Sequence, residues 1–274
     1  MKFGLDLPIN GAYADPRLLA DLAADAEHAG WDGFFVQDVF VGADAILDPW
    51  VTLAAIAMQT RRLRLGVFLT PLPRRRPWKV ARETVTLDHL SHGRLIFGAG
   101  LGFQASDFTV FGEESGARVR AEKLDEGLQI LSGLWTGRPF SFHGAHYQVE
   151  DVTFLPRPVQ VPRIPVWVAG GWPHRKPFHR AAQWDGIYLM TYNQVTQAYL
   201  TPAEIREIAA YLHRYPSELA PLDIAVNGEA PADAQQAASL IQQYEAAGAT
   251  WWIELDHGSV AEYRERIRRG PPRW

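Results

Sequence analysis

Short runs of apolar, β-branched and aromatic residues recur along the chain, each closed by Gly, Pro or Asp, which is the pattern of strands. They fall at Lys2–Leu7, Gly33–Gln37, Leu63–Leu69, Leu95–Ala99, Pro165–Ala169, Gly186–Met190, Asp223–Val226 and Trp251–Leu255. Several are almost continuously apolar, as in Gly33-Phe-Phe-Val36 and Val166-Trp-Val-Ala169, and so suit parallel strands covered on both faces. Between them lie helical periods. Pro16–Ala29 sets Leu18, Leu19, Leu22, Ala26 and Ala29 on one face and stops at Gly30. Pro49–Thr60, Pro77–Leu90, Arg118–Trp135, Pro202–Arg214, Ala232–Ala247 and Val260–Arg268 follow, and Thr201-Pro-Ala-Glu204 reads as an N-cap, an N1 proline and a capping-box glutamate.

Eight strands alternating with helices predict an α/β fold. The first expectation is a (β/α)8 TIM barrel, for which roughly 250 residues suffice, and the second a doubly wound open sheet. One interval is out of step. Residues 136–165 are rich in aromatics, Gly and Pro, and Phe140–Val149 alternates around Gly144-Ala145, predicting a hairpin inserted between strands 4 and 5. No linker divides residues 1–274, so one barrel domain is expected.

Composition narrows the chemistry. The 274 residues carry a net charge of −4, which disfavours broad attraction to nucleic acid or anionic lipid. There is no cysteine, which excludes thiolate metal sites and cysteine nucleophiles. The nine histidines form no recognisable metal set, and serine-hydrolase and phosphate-loop signatures are missing. Asp6 interrupts what a signal peptide would need, and no run of about 18 apolar residues could span a bilayer. The expected location is the cytoplasm.

In a barrel the ligand site lies at the C-terminal strand ends. Two glycine-rich loops are expected there, Gly98-Ala-Gly-Leu-Gly102 after strand 4 and Gly170-Gly171 after strand 5. The second precedes Trp172, His174, Arg175 and Lys176, so backbone amides and cations converge and predict a phosphate site. A tight turn carrying a solvated charge cluster reads the same spacing equally well. Arg74-Arg75-Arg76 after strand 3 offers charge for an anionic tail, although short basic runs are more often solvated. The acid–base candidates are Asp38, Asp107, Glu229, Asp256 and His257, of which Asp38 ends a strand most directly. Phe40, Phe103, Phe108, Phe111, Trp172 and Tyr192 give the loops flat apolar surface. Together these suit a large planar cofactor with a phosphate at one end, which the protein orients while the cofactor does the chemistry.

The chain resembles the bacterial luciferase-like flavin- or F420-dependent oxidoreductases over nearly its whole length. The likeness is carried by Glu27-His-Ala-Gly-Trp-Asp-Gly-Phe-Phe-Val-Gln-Asp38, Arg64–Ala81, Thr86–Gly102, Leu134-Trp-Thr-Gly137 and Pro156–Gly170. The resemblance implies a barrel that is usually a homodimer and binds FMN, or in one branch coenzyme F420. It implies a non-proline cis peptide bulge around Leu69-Thr70 against the ring, Gly100, Leu101 and Gly102 beside it, and the phosphate near Gly170, Gly171, Trp172 and Arg175. Where F420 members often carry Asp-His at the end of strand 2, this chain has Asp38-Val39. The reading preferred on these grounds is a monooxygenase using reduced FMN from a separate reductase, with O2 and a small organic substrate, and Asp38 positioning the ring. The alternatives are F420-dependent hydride transfer and a non-catalytic flavin-binding protein.

Overall fold

The computed structural model describes residues 1–190, 192–193, 198–215, 221–255 and 258–272. Eight strands close into a parallel barrel in the chain order β1 (Lys2–Leu7), β2 (Gly33–Val36), β3 (Arg64–Pro71), β4 (Leu95–Gly100), β7 (Val166–Gly170), β8 (Gly186–Leu189), β11 (Asp223–Gly228) and β12 (Trp251–Leu255). The parallel pairing of Lys2 with Trp251 through Asp6 with Leu255 shuts the barrel and rules out the open-sheet alternative. The insertion is an antiparallel hairpin, β5 (Phe140–His143) with β6 (Gln148–Val152), as its alternation predicts.

The helices are α1 (Pro16–Ala29), α2 (Pro49–Gln59), α3 (Pro77–Leu90), α4 (Ser106–Thr109), α5 (Ala117–Trp135), α6 (Arg175–Ala181), α7 (Pro202–Leu212), α8 (Ala234–Ala246) and α9 (Val260–Arg268). Their starts follow local chemistry. Asp15 and Asp48 accept backbone N–H bonds ahead of an N1 proline, and Thr201–Glu204 and Ser259–Glu262 form reciprocal capping boxes. Helix α8 begins two residues later than its periodicity predicts because Asp233 takes the cap, accepting from Gln236 N at 2.8 Å. Helix α6 is not anticipated by the sequence pattern. Its Pro177 lies in the first turn, where the missing N–H would have no intrahelical partner anyway. A two-residue ribbon, β9 (Tyr192–Asn193) with β10 (Ala198–Tyr199), is a second addition.

Strand alternation divides the core into two layers. Phe3, Leu5 and Leu7 of β1 pack outward beneath the helices, and Gly4 and Asp6 alternate inward. The barrel interior is filled by Phe35, Phe68, Trp167, Tyr188, Trp251 and smaller neighbours. Phe35 and Phe68 stack at 3.9 Å with 11° between their planes, and Trp167 meets Trp251 edge-on at 5.3 Å. Each such pair adds ~0.5–1.5 kcal/mol beyond simple burial. The rings fit because the wall opposite them is glycine, and a Cβ on Gly4 or Gly33 would stand 2.8 Å from Phe35. At the N-terminal end of the barrel, buried Arg94 donates to Thr60 Oγ1 and to the carbonyls of Ala57, Thr60, Leu63 and Ser91, tying α2 to the turn before β4.

Candidate active site

The aromatic plug stops short of the C-terminal strand ends and leaves above it a cavity of about 620 Å³. Its floor and walls come from the last inward-facing position of successive strands, including Asp6, Gln37, Gly100, Ala169, Asn227 and Leu255. Phe68 belongs both to the plug and to the cavity floor.

The wall at β3 is shaped by a bulge. Val67 pairs with Phe97 but Thr70 with Ala99, so β3 holds one residue more than β4 over this stretch. The non-proline cis peptide is Phe68–Leu69, one bond earlier than the Leu69-Thr70 position expected, and it lies within the same bulge between Val67 and Thr70. Leu69 lines the cavity, whereas Thr70 is fully buried and does not.

Beside it, at the end of β4 and in the loop that follows, Gly100, Leu101 and Gly102 all line the cavity. Gly102 has φ +86°, and a Cβ there would lie 2.9 Å from the Phe108 ring, so glycine is required on two counts. Arg120 secures the loop by donating to Gly102 O at 2.8 Å. Gly170 and Gly171 close the far side, and a Cβ at Gly171 would meet nothing within 4 Å, so this backbone lies open to a ligand. Two neighbours stand elsewhere than expected. Arg175 is drawn away over the rings of Trp172 and Tyr211, at 4.2 and 4.5 Å, and neither Trp172 nor Arg175 lines the cavity. The cation at the cavity is Arg180, one helical turn on in α6, which grips Asp125 through Nε and Nη2. It is the one cationic side chain lining the cavity among the described residues.

Asp38 lines the cavity, but both of its oxygens are committed. Oδ1 accepts from Arg74 at 2.6 Å and Oδ2 from Arg75 at 2.7 Å, and Arg74 reaches on to Asp107 at 3.1 Å. Burial pushes the Asp38 carboxyl up, against the pull of both guanidinium groups. Two members of the basic run are therefore spent on aspartates and fasten the end of β2 to the loop after β3. Phe40 and Phe111, both exposed and outside the cavity lining, pair at 5.4 Å and bridge the loops after β2 and α4, and Phe103, 73% exposed, is part of the lining. Glu229 accepts from Tyr199 outside the cavity lining. Asp256, His257 and the Tyr192 side chain lie outside the described residues.

The residues that sequence reasoning missed are Asp6, Tyr188 and Asn227. Asp6 Oδ2 accepts from the Tyr188 hydroxyl at 2.8 Å, and that hydroxyl accepts from Asn227 Nδ2 at 2.8 Å. Burial raises the Asp6 carboxyl from its ordinary 3.8 to about 7, although the Tyr188 hydroxyl and neighbouring Gln37 pull it back. Burial likewise lifts the Tyr188 phenol well above its usual range. The signal was present in Phe3-Gly-Leu-Asp-Leu7, where the alternation sets a lone acid on the inward face at a strand end. Among the described residues no group of three or more His, Asp or Glu could hold a metal ion, and no helix is long and apolar enough to cross a membrane.

A flat tricyclic group fits this cavity on two observations. The wall at β3 is a bulge carrying an aliphatic side chain, and the Gly171 backbone has open space before it.

Comparison with known proteins agrees with this architecture. The chain is 34% identical over 167 residues to an F420-dependent glucose-6-phosphate dehydrogenase of Amycolatopsis mediterranei, covering 58% of this chain and 49% of that protein. It is 32% identical over 170 residues to the enzyme of the same description from Kineococcus radiotolerans, covering 58% and 48%. The chain thus spans about half the length of the curated relatives it matches. Among solved structures, a monooxygenase from Streptomyces bottropensis superposes with a TM-score of 0.80 at 20% identity, covering 98% of this chain and 97% of that one. An F420-dependent secondary alcohol dehydrogenase superposes with a TM-score of 0.79 at 17% identity, covering 99% and 98%. The model of the luciferase-like monooxygenases matches residues 1–270, and the chain belongs to that family.

Proposed function

We propose that this protein is an F420-dependent oxidoreductase acting on a small, uncharged hydroxyl or carbonyl compound. The observation that carries the cofactor is the likeness to relatives described as F420-dependent glucose-6-phosphate dehydrogenases. When bound, the deazaflavin supplies hydride transfer. In this reading Leu69 and Gly100–Gly102 form one continuous wall against which the ring rests, and Gly170 and Gly171 present backbone to the phosphate with Arg180 as its cation. The aromatic plug supports the ring from below. Trp172 and Arg175 support α6 rather than touch the cofactor.

Charge argues for an uncharged substrate. Arg74 and Arg75 are neutralised by Asp38 and Asp107 and lie outside the lining, and Arg180, the one cation among the described lining residues, already shares its charge with Asp125. A cofactor phosphate would take Arg180, and a sugar phosphate would then face Asp6, Asp38 and Asp107 without a cation of its own.

A second reading is a monooxygenase that uses reduced FMN with O2, as a homodimer fed by a separate reductase. It is favoured by Val39, which has no proton to give where F420 members often carry histidine, and by the largely apolar cavity. Parallel fluorescence titrations with F420 and FMN separate the two. The proposal expects saturable, tighter binding of F420, and reduction of F420 by neutral alcohols in preference to glucose 6-phosphate. Binding of FMN alone would overturn it, and binding without turnover of any alcohol or carbonyl compound would favour a flavin-binding protein.

A further inference from the structure

The cavity floor holds one acid that the cofactor cradle does not employ. Asp6, the penultimate residue of β1, is 3% exposed and lines the cavity. Tyr188 on β8 donates to its Oδ2, and Asn227 on β11 donates to the Tyr188 oxygen. Among the described residues its buried Oδ1 has no hydrogen bond of normal distance and angle, although the Gln37 side chain stands close enough to pull the carboxyl down. Buried oxygens are nearly always satisfied, and an unpaired one is expensive, so a persistent exception inside a ligand cavity points to a partner that arrives with the ligand. Neighbouring Asp38 shows the contrast, because both of its oxygens are already taken by arginines.

Resting on the oxidoreductase reading above, we propose that Asp6 exchanges a proton with the substrate through Oδ1, and that Tyr188 and Asn227 are positioning residues that fix its orientation. For a neutral alcohol the bookkeeping closes on one acid and one hydride acceptor. The C–H pair leaves as hydride to the oxidised deazaflavin, the O–H pair becomes the second carbon–oxygen bond, and the hydroxyl proton passes to Asp6 Oδ1. Carbonyl reduction runs the same transfer backwards, with Asp6 giving the proton.

The surroundings suit that duty. Among the described residues the groups facing the carboxyl are Tyr188 from β8, Asn227 beyond it on β11 and Gln37 at the end of β2, none of them charged at neutral pH. The other charged side chains lining the cavity among the described residues each hold an ion pair, Asp38 with Arg74 and Arg75, Asp107 with Arg74 through Oδ2 alone, its Oδ1 left without a partner, and Arg180 with Asp125. Burial brings the carboxyl to about 7, where a group can both take and return a proton near neutrality.

The test uses the full chain labelled with 13C at aspartate carboxyls, as wild type, Asp6→Asn and Tyr188→Phe. One carboxyl signal is expected to titrate near neutrality, to vanish in Asp6→Asn, and to titrate at higher pH in Tyr188→Phe, since that hydroxyl stabilises the carboxylate. Saturation with F420 or FMN, whichever the parallel titration shows to bind, should move its midpoint. Asp6→Asn should bind that cofactor as tightly as wild type yet lose about 100-fold or more in kcat on a panel of neutral alcohols, together with the pH dependence near neutrality. A carboxyl with an ordinary acidic midpoint, or one that cofactor binding leaves unmoved, overturns the proposal. So does an unchanged kcat–pH profile in Asp6→Asn. Failure of wild type to bind F420 or oxidise any alcohol refutes the functional reading instead, and the carboxyl titration still decides on Asp6.

Discussion

Replacing Asp6 with Asn should flatten part of the pH dependence of stability, and the size follows from burial. In the unfolded chain the carboxyl titrates at its ordinary 3.8, but in the barrel floor it titrates at about 7. Between those values the folded state holds a proton that the unfolded state has released, so stability falls as pH rises. Its contribution is fully present below the unfolded value and gone once pH has passed the folded one. At ~1.36 kcal/mol per tenfold change in the proton equilibrium, the wild type should lose ~4 kcal/mol relative to Asp6→Asn across this window. Asn keeps the shape and an oxygen for Tyr188 but cannot ionise. Urea unfolding of both proteins at intervals from about pH 4 to about pH 8 isolates the effect, because the other titrating groups cancel in the difference. A difference that stays flat across the window, or that turns in favour of the wild type at high pH, would refute a buried, proton-holding Asp6.

Other consequences are equally direct. Gly33→Ala puts a methyl 2.8 Å from the Phe35 ring, and overpacking of this kind costs ~1–3 kcal/mol, read as a lowered Tm by calorimetry. Arg94→Met keeps volume but strips the donors from four backbone carbonyls, so urea unfolding should show a loss of ~3 kcal/mol or more. Gly171→Asp, with open space for its Cβ, should leave Tm unchanged while weakening cofactor binding about tenfold or more, read by fluorescence titration.

The barrel was legible because its strands carry two independent signals, apolar runs and bounding turn residues, and its helices announce their starts through Asp15-Pro16, Asp48-Pro49 and Thr201-Pro202. The hairpin at residues 140–152 was legible from alternation about Gly144. Helix α6 was not, since seven residues carry too short a period and Pro177 sits at the third helical position rather than the first, where proline marks a start. In the site, Gly100, Gly102, Gly170 and Gly171 stand out in the sequence as glycine-rich loops, and the structure requires glycine most plainly at Gly102, by its φ, and at Gly170, by the approach of Ile187, while Gly171 faces open space. The cation was assigned to Arg175 because it stands nearer those glycines in sequence, whereas stacking on Trp172 and Tyr211 turns it aside and one helical turn brings Arg180 in. Asp38 was readable as a strand-end acid, but its arginine partners lie 36 and 37 residues away, a separation that local pattern does not encode. Asp6 was passed over for the same reason, since its partners Tyr188 and Asn227 reach it only when the barrel closes.

The claim on which the account turns is that this mouth-side cavity receives a flat redox cofactor between the β3 bulge and the Gly170-Gly171 loop. Crystals soaked with F420 test it at once. The account predicts ring density over Phe68 and beside Leu69, phosphate density at Gly171 and Arg180, and Asp6 Oδ1 left facing the remaining substrate space. Ring density outside this cavity, or a cavity that collapses so that no tricycle can enter, would contradict it.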